Sequence, residues 1–473
     1  MFTMLIKIKK ILKEHWMFFL ILLAAFLIRV HKLYYVVPHA YDQEYVTNFV
    51  LDVVRVYPIK YVGQGLSIQG LFMGPFYFYF FVPFYLITNL HPIGGFVGSI
   101  LFGMLIITVY YYCVSKIFGQ RAGLIASFLR AFNYVSIEAD WAMVPSASSD
   151  LSVILVWFCL YKIYKNKFNY IYLLALIFGL FSSFHVVQFP FYLIFLILII
   201  IWKKRIPIKK YLLSFIIFMI PNIPIILFDY WRKWAMGKKI LMMLTGKSSS
   251  GGQINIFSKL FTMITVVVNF LNSVISLKNK FLLINFLIFG VFIYYLTFYL
   301  KKKYKKNLGF HLPIFYITLV VFILYYTLFP SHVPEYYLQA TAVMFIIYLS
   351  FLISQLFKHK IARYFLTGYA IYYLIVCIFL TNKQWSHPKL RTLGHKEFIV
   401  DKIVEDAKDK NDFAISYITT PGWSFGFESL FRLKNKEPTG KGSVYTIVSP
   451  IDKLKPSEID VVSGNVGLVY PKN

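Results

Sequence analysis

The sequence predicts an all-α polytopic membrane protein with a small C-terminal α/β domain. Three observations indicate this. Of the 473 residues, 59% are hydrophobic and only 15% are charged, a composition outside that of soluble domains. The apolar residues fall in blocks about as long as a helix needs to cross a bilayer, roughly 20 residues. After residue 381 the composition becomes polar and mixed.

The positive charge is spread over short clusters. A formal net charge of +29 is by itself typical of nucleic-acid binding. Here Lys and Arg occupy every second loop, as in "KIKKILK", "KIFGQR", "YKNK", "KKRIPIKK", "KKKYKK" and "FKHKIAR". This is the positive-inside pattern of cytoplasmic loops. The distribution therefore indicates a cell-membrane protein with the alternate loops outside, and argues against a nucleic-acid partner.

With the basic loops as cytoplasmic anchors, about eleven transmembrane helices are expected, and their odd number predicts an extracytoplasmic C-terminus. They are placed at 16–36, 94–115, 122–138, 149–164, 170–184, 188–202, 211–229, 281–300, 310–329, 336–356 and 364–381. The first helix resembles a signal peptide without a small-residue cleavage site, so we expect it to be retained.

Two domains follow from this placement. Residues 1–381 form the predicted transmembrane catalytic domain, with long outer loops at 37–93 and 230–280, and residues 382–473 form the small extracytoplasmic domain. In the first loop we expect an amphipathic helix near 42–55. The aromatic stretch 71–90 contains two prolines and is expected to lie in the membrane interface, because crossing would place the basic loops outside.

Acidic residues are scarce in the membrane part, and those in outer loops are the candidate catalytic groups. Asp42 is the favoured general base or metal ligand, with a helix N-cap as the alternative. Asp150 and Asp140 follow in the second outer loop, where either could meet Asp42 across a cleft, although Asp150 could also cap a helix. Glu44 and Glu335 are further predicted substrate-binding residues on the same side.

Basic groups on the same side are candidates for binding an anionic headgroup. Arg29 lies too deep for an ordinary surface charge, so it snorkels or pairs with an acid or a lipid phosphate. His185 either holds a phosphate or is a satisfied interfacial imidazole. The basic outer cluster is an exception to the charge rule that an anionic ligand would explain; it comprises Arg232, Lys233, Lys238 and Lys239.

The order of these motifs resembles that of the GT-C membrane glycosyltransferases that use polyprenyl-phosphate sugars, in the branch of protein O-mannosyltransferases and aminoarabinose transferases. The resemblance covers roughly residues 25–205. It is carried by Arg29, by "YDQEY" with Asp42 and Gln43, by "GPFYFYFFVPFYL" with Gly74 and Pro75, and by "WAMVPSASSDLSVILVWF" and "FHVVQFPFYLIFL".

This resemblance implies inverting transfer of a sugar from a polyprenyl-phosphate donor to a hydroxyl of a glycan, lipid or protein acceptor on the outer face. Asp42 would be the base and Asp150 the second acid, with Asp140 in reserve. Gln43, Gly74 and Pro75 would contribute to substrate binding. Many relatives have a second acid where this chain has Gln43, so it stays open whether a divalent cation assists.

Two other functions share some of these features. A lipid-linked sugar flippase or transporter predicts acids and helix breaks near the bilayer midplane, whereas the acids here fall in outer loops. An O-antigen polymerase or ligase shares the lipid-linked donor, but we expect it to rely on outer Arg and His residues rather than on an acid after the first span.

Overall fold

The structure, a computed structural model, describes residues 2–66, 68–185, 187, 189–244, 255–276, 281–329, 335–386 and 391–472. Within these ranges it describes side chains from residue 13 onward, apart from those at 243–244 and 335–336.

Most of the chain is a bundle of apolar helices. In chain order they are α1 (Phe2–Val30), α2 (Tyr41–Arg55), α3 (Phe76–Tyr79), α4 (Val82–Ile87), α5 (Ile93–Phe118), α6 (Gln120–Phe132), α7 (Tyr134–Ala142), α8 (Ser149–Tyr164), α9 (Tyr170–Phe184), α10 (Phe189–Ile201), α11 (Ile208–Met219), α12 (Ile223–Trp231), α13 (Ala235–Leu244), α14 (Ile256–Val274), α15 (Leu282–Lys303), α16 (Leu308–Leu328), α17 (Gln339–Leu356) and α18 (Lys360–Trp385). Among the described residues, eight helical segments are long and apolar enough to cross a membrane, by length and composition. The chain is a multi-pass membrane protein.

One predicted span, 122–138, is divided between α6 and α7. Asn133 separates them with an extended backbone, and its Oδ1 accepts a hydrogen bond from the backbone N–H of Ser136 at 3.2 Å. This is N-capping, which satisfies a backbone donor that the start of α7 would leave unpaired. The break lies between Arg130 and Asp140, so it sets how these two side chains meet.

In the second half of the predicted outer loop, 230–280, the structure contains the helix α14. By length and composition α14 is long and apolar enough to cross a membrane, and it packs against α16 and α17. Lys259, Asn269 and Asn272 interrupt its apolar run. Asn272 is buried, and Asn269 Oδ1 accepts a hydrogen bond from Asn285 of α15 at 3.2 Å. Polar residues of this kind join helices in membranes.

The first outer loop carries the predicted amphipathic helix, which is α2. A turn follows in which Gly65 and Phe72 form an isolated antiparallel bridge. The aromatic stretch then forms the two short helices α3 and α4, and neither is long enough to cross a bilayer. Tyr77, Phe78 and Tyr85 of these helices are buried, so much of the stretch packs inside the protein.

The C-terminal end is the predicted α/β unit. It comprises α19 (Leu393–Asp406), β1 (Phe413–Thr419), α20 (Glu428–Leu433), β2 (Ser443–Ser449), β3 (Val461–Ser463) and β4 (Val466–Val469). The sheet order is β1-β2-β4-β3. Strands β1 and β2 are parallel and joined through α20, whereas β4 is antiparallel to both of its neighbours. The division of the chain at residue 381 stays a prediction.

Candidate active site

A cavity of about 620 Å³ lies where the first outer loop meets the segment joining α7 to α8. Its volume is in the range of small-molecule sites. Its wall includes Asp42 and Tyr41 of α2, Gln64 of the turn, Glu138 of α7 and His185 just past α9. Sequence elements more than 100 residues apart thus meet at one site.

Asp42 lies in the first turn of α2, where the partial positive charge of the helix terminus favours a carboxylate. The N-cap residue is Ala40, so the alternative role of Asp42 as the N-cap does not apply. Gln64 donates a hydrogen bond from Nε2 to Asp42 Oδ1 at 2.7 Å. This bond ties the carboxylate to the turn after α2, and the residue lines the cavity.

The two residues after Asp42 in the acidic motif have other tasks. Gln43 is buried; its Oε1 accepts from the backbone N–H of Ala40 at 3.0 Å, and its Nε2 donates to the backbone carbonyl of Ala142. Gln43 therefore holds α2 against α7. Glu44 is also buried, and the backbone N–H of Ser429 in the C-terminal domain donates to its Oε1 at 3.3 Å. Neither side chain lines the cavity.

Behind the cavity lies a buried network of two arginines and two aspartates. Arg29 donates from Nε to Asp140 Oδ2 at 2.8 Å, which is one of its predicted pairings. Arg130 donates from Nη2 to Asp140 Oδ1 and from Nε to Asp150 Oδ2, both at 2.7 Å. The positive charges of the two arginines balance the negative charges of the two aspartates, as burial of charged groups requires. Asp140 lines neither this cavity nor the smaller one described below, so the geometry does not favour Asp140 as the second acid.

Arg130 is the residue of this network that the sequence argument did not single out. It lies in "IASFLRAFNYV", inside a predicted span. An ionisable residue inside a membrane segment is itself a signal of function, because an unpaired charge is costly there. That signal would have identified Arg130.

Asp150 faces a second, smaller cavity of about 330 Å³. Gln339 of α17 lies at 3.4 Å, with Nε2 donating to Asp150 Oδ1. Gln339 and Val135 line both cavities, so the two spaces adjoin. Asp150 therefore borders the site beside Asp42 without sharing its cavity.

Glu138 and His185 complete the polar wall of the larger cavity. Glu138 is exposed and forms a side-chain hydrogen bond with Tyr134. The His185 ring lies edge-on to Tyr337, with centroids 5.3 Å apart, and its Nδ1 accepts from the backbone N–H of Val187. Burial lowers the pKa of His185 to about 4, so its imidazole is neutral at pH 7.

Gly74 and Pro75 shape the site from outside the cavity. The backbone N–H of Gly74 donates to the carbonyl of Ser183 at 2.7 Å, and a Cβ on Gly74 would lie 1.7 Å from Ser183 Oγ. Only glycine allows this approach. Pro75 starts α3, where its carbonyl accepts from Phe78 and Tyr79. These residues bring Met73 to the cavity wall.

The four residues of the basic outer cluster lie around α12 and α13 and do not line the cavity. Two of them, Arg232 and Lys239, contact the turn at 63–73. Arg232 stacks over the rings of Phe72 and Phe228 at 5.3 and 5.2 Å. Lys239 Nζ donates to the carbonyl of Gln69. Lys233 and Lys238 are exposed. The side chain of Glu335, another predicted residue, lies outside the described residues.

Metal binding finds little support among the described side chains. They contain no group of three or more His, Cys, Asp or Glu that could hold an ion. Asp42 and Glu138 are the carboxylates of the larger cavity, and Gln43 is turned away. The residues present thus do not fit a metal centre, and no step below involves one.

No family profile and no curated protein matches the chain, but solved structures match its fold. Their architecture agrees with the fold that the resemblance predicted. The crystal structure of ArnT from Cupriavidus metallidurans bound to undecaprenyl phosphate superposes with a TM-score of 0.62 at 10% identity, covering 95% of this chain and 97% of that chain.

The oligosaccharyltransferase of Archaeoglobus fulgidus shares the fold less completely. Its apo form superposes with a TM-score of 0.53 at 12% identity, covering 88% of this chain and 64% of that chain. Its complex with Zn and sulfate gives a TM-score of 0.51 at 12% identity, covering 91% and 68%. At these identities the likeness shows a common architecture.

Proposed function

We propose that this protein is a membrane glycosyltransferase that moves a sugar from a polyprenyl-phosphate donor to a hydroxyl acceptor, with inversion, on the extracytoplasmic face. The observation that carries the proposal is Asp42, held by Gln64 at the wall of a 620 Å³ cavity. The fold supports it, because ArnT, which shares the architecture over nearly all of both chains, was solved with undecaprenyl phosphate.

Asp42 acts as the general base. It accepts the proton of the acceptor hydroxyl as that oxygen attacks the anomeric carbon of the donor. The new C–O bond forms while the bond from the anomeric carbon to the phosphate oxygen breaks, and the electron pair leaves with the polyprenyl phosphate. A single displacement from the opposite face inverts the anomeric centre. Positioned bases of this kind contribute roughly 100- to 10,000-fold to the rate.

The departing phosphate needs hydrogen-bond donors or cations. His185 lines the cavity with Asp42, and its neutral imidazole offers a hydrogen bond. Lys239 of the basic outer cluster bonds Gln69 of the 63–73 turn, so the cluster offers cations to a phosphate that lies outside the cavity. Arg29 is committed to Asp140, so it supports the site from behind.

The distribution of charge supports the proposed extracytoplasmic orientation. The run "KKKYKK" covers the end of α15 and part of its connection to α16, and "FKHK" covers the α17–α18 connection and the first residue of α18. The positive-inside rule assigns both runs to the cytoplasm. The cavity lies at the opposite ends of α8, α9 and α17, where Asp150, His185 and Gln339 are found. A lipid-linked sugar in the outer leaflet would meet it there.

Reconstituted protein tests the proposal. Vesicles containing the wild-type chain receive a radiolabelled undecaprenyl-phosphate hexose or aminopentose and an envelope lipid and glycan extract, and label transfer is measured. We expect Asp42→Asn to lose at least about 100-fold in transfer, whereas Asp409→Asn, an exposed carboxylate of the C-terminal domain, behaves as wild type. Full transfer by Asp42→Asn would exclude Asp42 as the base. Movement of the donor across the bilayer without transfer would favour the flippase.

A further inference from the structure

A stripe of polar residues runs along one side of α2. Its members are Glu44, Asn48, Asp52 and Arg55, spaced four, four and three residues apart, which places them on one face of a helix. Asp42 lies about 200° around the helix from Glu44 at about 100° per residue. The helix thus presents Asp42 to the cavity and the stripe to another part of the molecule.

Every residue of this stripe bonds to the C-terminal domain, at or beside α20. Arg432 donates from Nη1 to Asn48 Oδ1 at 2.8 Å and from Nη2 to Asp52 Oδ1 at 2.7 Å. Arg55 donates back to the carbonyl of Arg432 at 2.9 Å. At the start of the stripe the backbone N–H of Ser429 donates to Glu44. The contact therefore extends along the whole length of α2.

The chain just before α2 is fixed by the same domain. Lys396 of α19 donates from Nζ to the carbonyl of His39 at 2.6 Å, and also to the carbonyl of Phe425. Gly426 packs so closely that a Cβ on it would lie 2.0 Å from the His39 carbonyl oxygen. His39 lies three residues before Asp42 and just before the start of α2, so these contacts fix the position at which the helix begins.

We propose that the C-terminal domain is part of the catalytic unit, and that Arg432 is a positioning residue that fixes the rotation and axial position of α2 and so aims Asp42 into the cavity. This rests on the proposed role of Asp42 as the base. Arg432 touches no cavity residue and acts only through α2. A shift of about 1 Å in a reacting group can cost on the order of 100-fold in rate, so the rotation of α2 matters to catalysis.

Arg432 also offers a clean test, because its removal leaves no buried charge unpaired. Asp52 keeps its ion pair with Lys60 at 2.6 Å, and the Arg432 side chain is itself about 20% exposed. Arg432→Ala should therefore fold. The matched control is Lys402→Ala on α19, whose ion pair with Glu405 lies within the C-terminal domain.

The first measurement is steady-state transfer by full-length protein in vesicles, with the undecaprenyl-phosphate sugar that the wild type uses. We expect Arg432→Ala to lower kcat about tenfold with KM for the donor within about twofold. Arg432→Lys should recover part of the loss in kcat, since an ammonium group keeps the positive charge but not the paired hydrogen-bond donors of a guanidinium. Lys402→Ala should match the wild type. An unchanged kcat in Arg432→Ala, or an equal fall in Lys402→Ala, overturns the proposal.

The second measurement does not depend on turnover. Amide hydrogen exchange over residues 41–55 is measured without substrate. It should be about tenfold faster in Arg432→Ala than in the wild type and in Lys402→Ala, because α2 loses its hydrogen bonds to the Arg432 side chain. Equal exchange in all three overturns the proposal. If the wild type transfers none of the sugars tested, the proposed function fails, and the exchange data alone decide whether Arg432 holds α2.

Discussion

Arg130 donates from Nε to Asp150 Oδ2 at 2.7 Å, and both side chains are almost completely buried. The same guanidinium holds Asp140 with its two terminal nitrogens. One residue of α6 thereby fixes an acid of α7 and an acid of α8, on either side of the segment that lines the larger cavity. The shape of the candidate site depends on this ion network.

Replacing Arg130 should destabilise the protein severely. Arg130→Met leaves Asp150 buried without its cation, and breaking a buried pair in this way costs about 3–5 kcal/mol. Thermal unfolding in detergent should show a large fall in Tm. Arg121→Met, at an exposed position of the same helix, should leave Tm unchanged. Equal Tm values for the two variants would show that the network is dispensable.

Gln64 should matter to the rate rather than to the fold. Gln64→Ala removes the hydrogen bond to Asp42, and a bond to a charged group contributes about 1.5–3 kcal/mol. We expect kcat to fall about tenfold or more, with Tm little changed. Gln69→Ala, an exposed residue of the same turn, is the control. A kcat equal to that of the wild type would mean that Asp42 does not need this partner.

Glu44 should tolerate loss of its charge. Burial raises the pKa of Glu44, although backbone N–H groups of Gly426 and Ser429 oppose the shift. The carboxylate serves as an acceptor from these backbone groups. Glu44→Gln keeps an acceptor oxygen, so transfer should stay within about twofold, whereas Glu44→Ala removes it and should reduce kcat several-fold. A loss in Glu44→Gln as large as that in Asp42→Asn would instead assign Glu44 to the chemistry.

Lys396 should give the stability of the protein a pH dependence. Burial lowers the pKa of Lys396 from 10.5 to about 7, with Arg391 adding to the shift and Glu44 opposing it. Between about pH 7 and 10.5 the unfolded chain binds this proton and the folded chain does not. The free energy of unfolding should therefore rise with pH there, by up to about 1.4 kcal/mol per unit.

Thermal unfolding of wild type, Lys396→Met and Lys402→Met between pH 7 and 9.5 measures this contribution. The rise should be smaller in Lys396→Met than in the other two proteins. If all three show the same slope, then Lys396 keeps its proton in the folded state.

Gly74 should not accept a side chain unless Ser183 gives way. In Gly74→Ala the new Cβ would collide with the Ser183 side chain, and overpacking of this kind costs about 1–3 kcal/mol. Tm should fall in Gly74→Ala. It should recover in part in the double variant with Ser183→Gly, which removes the closest atoms. Additive losses in the double variant would place the cause elsewhere.

The fold class was predictable because its signals are local. Blocks of apolar residues, the alternation of basic loops and the strand-like runs "DFAISYI" and "GSVYTIVS" each belong to one element. Helix α14 is not among the eleven predicted spans. Its Asn269 bonds to Asn285 of the neighbouring α15, and a single segment of sequence does not show such a partner. A hydropathy argument is weakest where a membrane helix turns a polar side inward.

The candidate site was predictable only in part, because its geometry depends on contacts between distant segments. The motif pointed to Asp42, but Gln64, Glu138 and Arg130 reach the site through the turn after α2 and the break at Asn133. Neighbouring residues of one motif also separate in function: Asp42 faces the cavity, Gln43 faces α7 and Glu44 faces the C-terminal domain. The rotation of the helix determines which way each of these side chains points, and the order of residues in the sequence alone does not show that rotation.

The bond between Asp52 and Arg432 joins residues 380 positions apart, which has a consequence for biosynthesis. Helix α2 leaves the ribosome before the domain that contains Arg432. The membrane helices between them can therefore insert while the helix bearing Asp42 still lacks its contacts with that domain. The order of translation would thus delay chemistry at the lipid surface until the C-terminal domain has been made.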